Sequence, residues 1–190
     1  MGLYLRLCNT KEMEENRCNQ FWNIIENHVR EGETGQGIDY SLLALSLVED
    51  DGSRASDFEQ CLRYYLRVSY CHNVLGILRA LMGYVSDDVF LNYRCALILA
   101  GRDLFMQSVN DPMQLDRFVL PCVESEEILS VSEMAYQIMR KQHSDASNPR
   151  LDWSDFYDYN LPDYDLDGEE WRGTEKLENL RARIKSSLNL

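Results

Sequence analysis

Three aspartates at alternate positions, Asp163, Asp165 and Asp167, are followed directly by Gly168. A calcium-binding EF loop places oxygen ligands at positions 1, 3 and 5 and a glycine at position 6, so these residues match the first half of such a loop. The second half does not match, because Thr174 stands at position 12, where the loop needs a bidentate glutamate. The pattern therefore favours a plain acidic Asp-Gly turn. The alternative is a divalent-cation site formed by the three aspartates outside a true EF-hand, which would make the protein a Ca²⁺-responsive module.

The aspartates belong to a longer segment, residues 151–171, that combines acidic and aromatic side chains. It contributes eight acidic residues and no lysine or arginine to a chain whose net charge is −13. A linker that only solvates usually lacks large rings, because aromatic side chains gain free energy when they are buried. We therefore expect its rings to pack on the protein or on a partner. These rings are Trp153, Phe156, Tyr157, Tyr159, Tyr164 and Trp171.

Carboxylates interleaved with rings resemble the phosphates and bases of a nucleic acid in charge and shape. Such a surface favours association with a basic protein, because complementary charges speed the encounter. The segment therefore predicts a non-enzymatic binding or inhibitor protein of the immunity-protein, antitoxin or viral and phage antagonist type. Its basic partner would be a toxin or a nucleic-acid-binding enzyme. The predicted partner-binding residues are Trp153, Asp155, Phe156, Tyr157, Asp158, Tyr159, Asp163, Tyr164, Asp165, Asp167, Glu169 and Glu170.

An intramolecular role is the alternative for the same segment, and the two roles are compatible. Basic residues flank it in the sequence and would neutralise its carboxylates within the protein: Arg140, Lys141, Arg150, Lys176, Arg181, Arg183 and Lys185.

A basic aromatic stretch, LRYYLRVSY at residues 62–70, departs from the acidic trend. Arg63 and Arg67 lie one helical turn apart in it. We expect them at the edge of a core helix, with Arg63 paired to Glu59 four residues earlier. Binding of a phosphate or an acidic peptide is the alternative.

Motifs for catalysis are sparse in this chain. It has no P-loop, GxSxG, HExxH or dinucleotide-binding glycine pattern, and its histidines are dispersed at His28, His72 and His143. Cys71 and His72 are adjacent, so on a helix their side chains diverge by about 100° and do not form a nucleophile–base pair. The sequence favours a protein that is not an enzyme and has no cofactor. An enzyme with an unfamiliar helical active site is the remaining alternative.

Composition excludes some classes of partner. A net charge of −13 argues against direct nucleic-acid binding and against anionic membranes, since both need clustered lysine and arginine. The longest dense apolar run, Cys95 to Ala100, is too short to span a bilayer. The start MGLYLRLCNTKEM lacks the features of a signal peptide, and the six cysteines are scattered without paired spacing. We therefore expect reduced thiols in a cytoplasmic protein.

The apolar periodicity is mainly helical. It predicts an all-α, single-domain bundle of about six to seven helices, with an acidic, aromatic-rich loop before the C-terminal helix. The expected boundaries are residues 1–143 for the helical core, 144–173 for the connecting segment and 174–190 for the C-terminal helix packing on the core.

Individual helix starts can be predicted from capping residues. Asp39 and Ser86 are predicted N-caps, and Ser56 with Glu59 is a predicted capping box. Residues 89–100 are apolar nearly all round, which is typical of the most buried helix.

Overall fold

A computed structural model describes residues 15–28, 38–49, 52–142, 159, 161 and 164–188. Those residues form eight α-helices and two 3₁₀-helices and no β-strand, which confirms the all-α prediction. The arrangement as one bundle and the three predicted domain ranges stay predictions. The α-helices are α1 (residues 15–28), α2 (Tyr40–Ser46), α3 (Ser53–Val68), α4 (His72–Met82), α5 (Asp87–Leu99), α6 (Arg102–Asn110), α7 (Val131–Gln142) and α8 (Glu175–Leu188). The 3₁₀-helices are Pro112–Gln114 and Val123–Ser130.

Two of the predicted helix starts are confirmed. The carboxylate of Asp39 accepts hydrogen bonds from the backbone N–H groups of Ser41 at 2.9 Å and Leu42 at 3.1 Å. The hydroxyl of Ser86 accepts from the N–H of Val89 at 3.4 Å. Both side chains satisfy donors that have no partner within the first helical turn.

The predicted capping box at Ser56 is wrong. Gly52 has φ of +70°, a conformation that suits a residue without Cβ, and α3 begins immediately after it at Ser53. Ser56 therefore lies inside the helix, where its N–H donates to the carbonyl of Gly52 at 3.1 Å. Glu59 forms the predicted ion pair with Arg63 instead, at 2.7 Å.

The described residues contain one α-helix more than seven, the upper end of the predicted number. It is α6, which follows α5 after a break at Gly101. Gly101 has φ of +96°, and the chain leaves one helix there and enters the next. The predicted helix over residues 89–100 ends next to this break, but α6 itself is not predicted, because nine residues show too little apolar periodicity.

The chain divides into two compact units. The first comprises Met1–Arg63 and Leu129–Ser154, and the second comprises Tyr64–Ile128 and Asp155–Leu190. In the first unit α2 packs on α7. The Phe21 ring lies 5.3 Å from the Trp22 ring and 5.0 Å from the Phe58 ring, and all three are buried.

In the second unit α4 packs against α5, α6 and α8. Helix α5 is buried over most of its length, as its apolar sequence predicts. No helix in the described ranges is long and apolar enough to cross a membrane. The five cysteines whose side chains are described are free thiols, as expected: Cys18, Cys61, Cys71, Cys95 and Cys122.

Candidate functional site

The acidic segment is described from Tyr164 onward, together with Tyr159 and Leu161. The predictions for its other members stay predictions. Those members lie outside the described residues: Trp153, Asp155, Phe156, Tyr157, Asp158 and Asp163.

The backbone of Asp167 is bonded to the linker between α3 and α4. Its N–H donates to the carbonyl of Tyr70 at 3.3 Å, and its carbonyl accepts from the N–H of His72 at 2.8 Å. The two contacts form an isolated parallel bridge beside Cys71. They satisfy backbone groups where one helix has ended and the next begins. The main chain of the aspartate is therefore held in place while its side chain is exposed.

Trp171 anchors the end of the segment on α4. Only 2% of its surface is exposed, and its ring lies against Gly76. A Cβ at position 76 would lie 2.6 Å from Cε3 of the indole, which is closer than real Cβ atoms approach. The ammonium of Lys176 lies 3.9 Å from the centre of the ring, within the range of a cation–π interaction. A glycine in the middle of α4 thus makes room for the ring.

Arginines of α3 and α4 contact the middle of the segment. The guanidinium of Arg67 lies 4.0 Å from the centre of the Tyr164 ring. The guanidinium of Arg79 lies 3.4 Å from a carboxylate oxygen of Glu170. These arginines come from the helical body and are not among the flanking basic residues that the intramolecular alternative predicts.

Two of those flanking arginines contact other groups. Arg181 forms an ion pair with Glu178 at 2.7 Å, and Arg183 donates to the carbonyl of Leu115 at 2.9 Å. Of the flanking residues in the described part, Lys176 contacts the segment, through the indole ring of Trp171.

A buried arginine holds the start of the described segment. Arg94 lies in α5 with 0% of its surface exposed, and its guanidinium is 5.0 Å and 5.2 Å from the rings of Phe90 and Tyr70. It donates to the carbonyl of Leu66 at 3.1 Å and to that of Tyr159 at 2.8 Å. The signal in the sequence is an arginine within a helix that is apolar all round, because a buried charge requires hydrogen-bond partners.

Leu161 turns the chain between Tyr159, whose carbonyl binds Arg94, and Tyr164, whose ring contacts Arg67. It is buried and has φ of +57°, a conformation that non-glycine residues adopt at a cost of about 1–2 kcal/mol. Its carbonyl accepts from the N–H of Tyr164 at 3.1 Å. The free energy gained by burying the leucine side chain is of comparable magnitude and offsets this conformational cost.

The acidic side chains of the described segment lie in solvent. Asp165, Asp167, Glu169 and Glu170 are all exposed, and the Tyr164 ring is half-exposed. The Trp171 ring is therefore buried inside the protein, whereas the carboxylates form the outer surface. We call Asp165, Asp167 and Glu169 the acidic face.

The described residues do not test the cation hypothesis. Asp165 and Asp167 are exposed, whereas Asp163 lies outside the described residues. No group of three or more histidine, cysteine or acidic side chains in the described ranges is arranged to hold a metal ion. Gly168 has φ of +91°, which is compatible with the Asp-Gly turn that the sequence favours.

The buried thiols lack the features of activated nucleophiles. Burial raises the pKa of Cys71, and it raises the pKa values of Cys61 and Cys95 to about 12. A thiol with a raised pKa supplies little thiolate at neutral pH. The structure also brings the Cys61 thiol close to Cys18 on α1, a pair that the spacing did not predict, and this neighbour adds to the effect of burial on the pKa of Cys61. The alternative of an unfamiliar enzyme stays untested.

A family model described as "Protein of unknown function (DUF4240)" matches residues 13–138. The chain belongs to this family. Comparisons with curated proteins and with solved structures found no match. The DUF4240 region contains Arg67, Arg79 and Arg94, which contact the acidic segment, but it ends before that segment and before α8. The acidic face is therefore outside the part of the chain that defines membership of DUF4240.

Proposed function

We propose that this DUF4240 protein is a non-enzymatic, cytoplasmic binding protein that inhibits a basic protein partner through its acidic face. The partner is a toxin or a nucleic-acid-binding enzyme, as for immunity proteins, antitoxins and phage antagonists. The observation that supports this best is the double hydrogen bond of the Asp167 backbone to Tyr70 and His72, with the carboxylates of Asp165, Asp167 and Glu169 in solvent.

A surface held in this way is suited to binding. Ordering a segment on association costs free energy, and a backbone that is already fixed avoids part of that cost. Trp171 and Arg94 anchor the segment on either side of the acidic face. The carboxylates would then meet lysine and arginine side chains without rearrangement of the main chain.

Charge gives the proposed surface its selectivity. The described stretch 164–171 contains four acidic residues and no basic one. Arg79 partly neutralises Glu170, which leaves the three carboxylates of the acidic face to attract a basic surface. Complementary charge accelerates association and suppresses unsuitable partners more than it increases final affinity.

The proposed anchors of the complex are aromatic. The half-exposed Tyr164 ring lies beside the acidic face, and Trp153, Phe156 and Tyr157 precede it in the sequence. Rings of this kind supply most of the binding free energy in protein interfaces, while surrounding charges steer the encounter.

The test compares two variants that remove the same formal charge. The first is Asp165→Asn, Asp167→Asn and Glu169→Gln together. The second is Asp116→Asn, Glu124→Gln and Glu127→Gln, which neutralises exposed acids of the second unit outside the segment. A partner is first obtained by affinity purification from the native host, and the association rate is then measured at several salt concentrations.

We expect the first variant to associate at least about tenfold more slowly at low salt and to lose most of its salt dependence. The second variant should behave like the wild-type protein. Equal rates and equal salt dependence for both variants would overturn the proposal.

A further inference from the structure

The second unit also contains a cleft whose lining is basic. It lies where the end of α4, the turn after it and the start of α8 meet, and its volume is about 370 Å³. Arg79, Arg172 and Arg181 line it, with Glu178 as the acidic residue among the lining side chains. Even with Glu178 in the lining and Glu170 next to Arg79, the three guanidinium groups leave a local excess of positive charge in a chain whose net charge is −13.

Two of the arginines are held by the protein. Arg181 binds Glu178 at 2.7 Å and donates to the main-chain carbonyl of Arg79 at 3.5 Å, which links α8 to the end of α4. Arg79 makes a longer contact of 3.4 Å with Glu170. Arg172 is exposed at the edge of the cleft. A guanidinium keeps its charge at every physiological pH and has five N–H donors, so each of these groups retains donors for an anion.

The rim of the cleft contains an aromatic ring in solvent. Tyr84 is 86% exposed, although a large ring gains free energy when it is covered. It follows Gly83, where φ is +83° and a Cβ would have no neighbouring atom within 4 Å. Gly173, which also lines the cleft, has φ of +72° and is equally open. The cleft thus has basic walls and an uncovered ring at its mouth.

We propose that this cleft binds a small phosphorylated molecule with a planar ring, of the nucleoside phosphate class. The phosphate would accept hydrogen bonds from Arg172, Arg79 and Arg181, and the base would stack on Tyr84. Guanidinium groups match the geometry of phosphate oxygens, and several of them can bind one phosphate because it presents several acceptors. The volume lies in the range of small-ligand sites, about 300–1,000 Å³, and suits a single nucleotide.

The cleft and the acidic face are different surfaces of opposite charge, so binding at either one does not require binding at the other. Glu170, the sequence neighbour of the acidic face, links them. Glu170 contacts Arg79, so a bound phosphate would compete with this carboxylate for the guanidinium. Glu170→Gln should therefore strengthen phosphate binding, whereas the proposed binding of a basic partner would be unchanged or weaker.

The test uses the full chain and isothermal titration with ADP, pyrophosphate and adenosine. Arg172→Gln and Tyr84→Ala alter exposed side chains and are expected to fold. Arg117→Gln is the matched control, because Arg117 is an exposed arginine of the same unit that does not line the cleft. Thermal unfolding of each variant verifies its fold.

We expect ADP to bind with one-to-one stoichiometry and a Kd below 1 mM, and adenosine to bind more weakly or not at all. Arg172→Gln should weaken ADP and pyrophosphate binding about tenfold, Tyr84→Ala should weaken ADP binding alone, and Arg117→Gln should change neither. Glu170→Gln should tighten both a few-fold. Absence of binding for ADP and pyrophosphate at millimolar concentration, or binding that Arg172→Gln leaves unchanged, would overturn the proposal. If pyrophosphate binds and Tyr84→Ala leaves ADP binding unchanged, the proposal that the ligand contains a nucleoside would be overturned.

Discussion

The indole ring of Trp171 lies in the space that a side chain at position 76 would need. A Cβ on Gly76 would be 2.6 Å from Cε3 and 2.8 Å from Cδ2 of that ring. This contact joins the end of the acidic segment, outside the DUF4240 region, to the middle of α4 within it. The free energy of that contact is measurable.

We predict that Gly76→Ala destabilises the protein. Alanine is favoured over glycine in a helix by about 1 kcal/mol, so without the indole the substitution would stabilise α4. With the indole in place, the added methyl group forces a displacement that typically costs about 1–3 kcal/mol. Chemical unfolding of the variant should show a net loss or, at best, none of the expected gain.

A double-mutant cycle identifies the cause. In a Trp171→Leu background, Gly76→Ala should be neutral or stabilising, because the ring that it displaces is gone. An equal effect of Gly76→Ala in both backgrounds would contradict the steric explanation.

Arg94→Met is predicted to destabilise the second unit by at least about 2 kcal/mol. The carbonyl of Leu66 keeps a donor in the Ser69 hydroxyl at 3.1 Å, whereas the carbonyl of Tyr159 loses the guanidinium that donates to it. Removing one partner of a buried hydrogen bond costs about 1–3 kcal/mol, more when the bond involves a charged group. Arg117→Met serves as the control, because that arginine is exposed and should change stability little. Urea unfolding measures both, and similar losses for the two variants would refute the structural role of Arg94.

Thiol reactivity should follow burial. Among the five cysteines that the structure describes, iodoacetamide at pH 8 should modify the exposed Cys122 first and the half-buried Cys18 more slowly. Cys61 and Cys95 should react mainly after unfolding, because burial raises their pKa values to about 12. Cys71 should also react mainly after unfolding, because burial raises its pKa as well. Mass spectrometry of peptides, with and without denaturant, gives the order. Early labelling of Cys95 in the folded protein would contradict it.

The side chain of Glu126 should make stability depend on pH. The pKa of Glu126 is raised mainly by partial burial and, to a smaller extent, by repulsion from the nearby carboxylate of Asp88. A carboxyl whose pKa is higher in the folded state binds its proton more tightly there. Its contribution to stability therefore falls as pH rises from the unfolded pKa through the folded one.

We expect Glu126→Gln to be more stable than the wild-type protein above this window and to lose the advantage below it. The control is Glu127→Gln, which removes an exposed carboxylate from the same 3₁₀-helix. Urea unfolding between pH 4 and pH 8 provides the comparison. A stability difference that stays constant over this range would refute the prediction.

Much of the local structure could be predicted from the sequence. The 3.6-residue period of apolar side chains and the caps at Asp39 and Ser86 depend on neighbours within one or two turns, so they are visible in the chain itself. Net charge and its concentration in the acidic segment are also properties of composition. Helix α6 was not predicted, because its nine residues show too little apolar periodicity.

The sequence by itself thus determined an acidic, all-helical chain and the position of its acidic aromatic segment. The tertiary structure decided which of the described rings are buried, which arginines contact the segment, and that Arg79, Arg172 and Arg181 line one cleft. The physical reason is distance along the chain. Gly76 and Trp171, or Arg94 and Tyr159, meet only after the helices have packed, and periodicity or capping cannot encode which distant residue fills a given space.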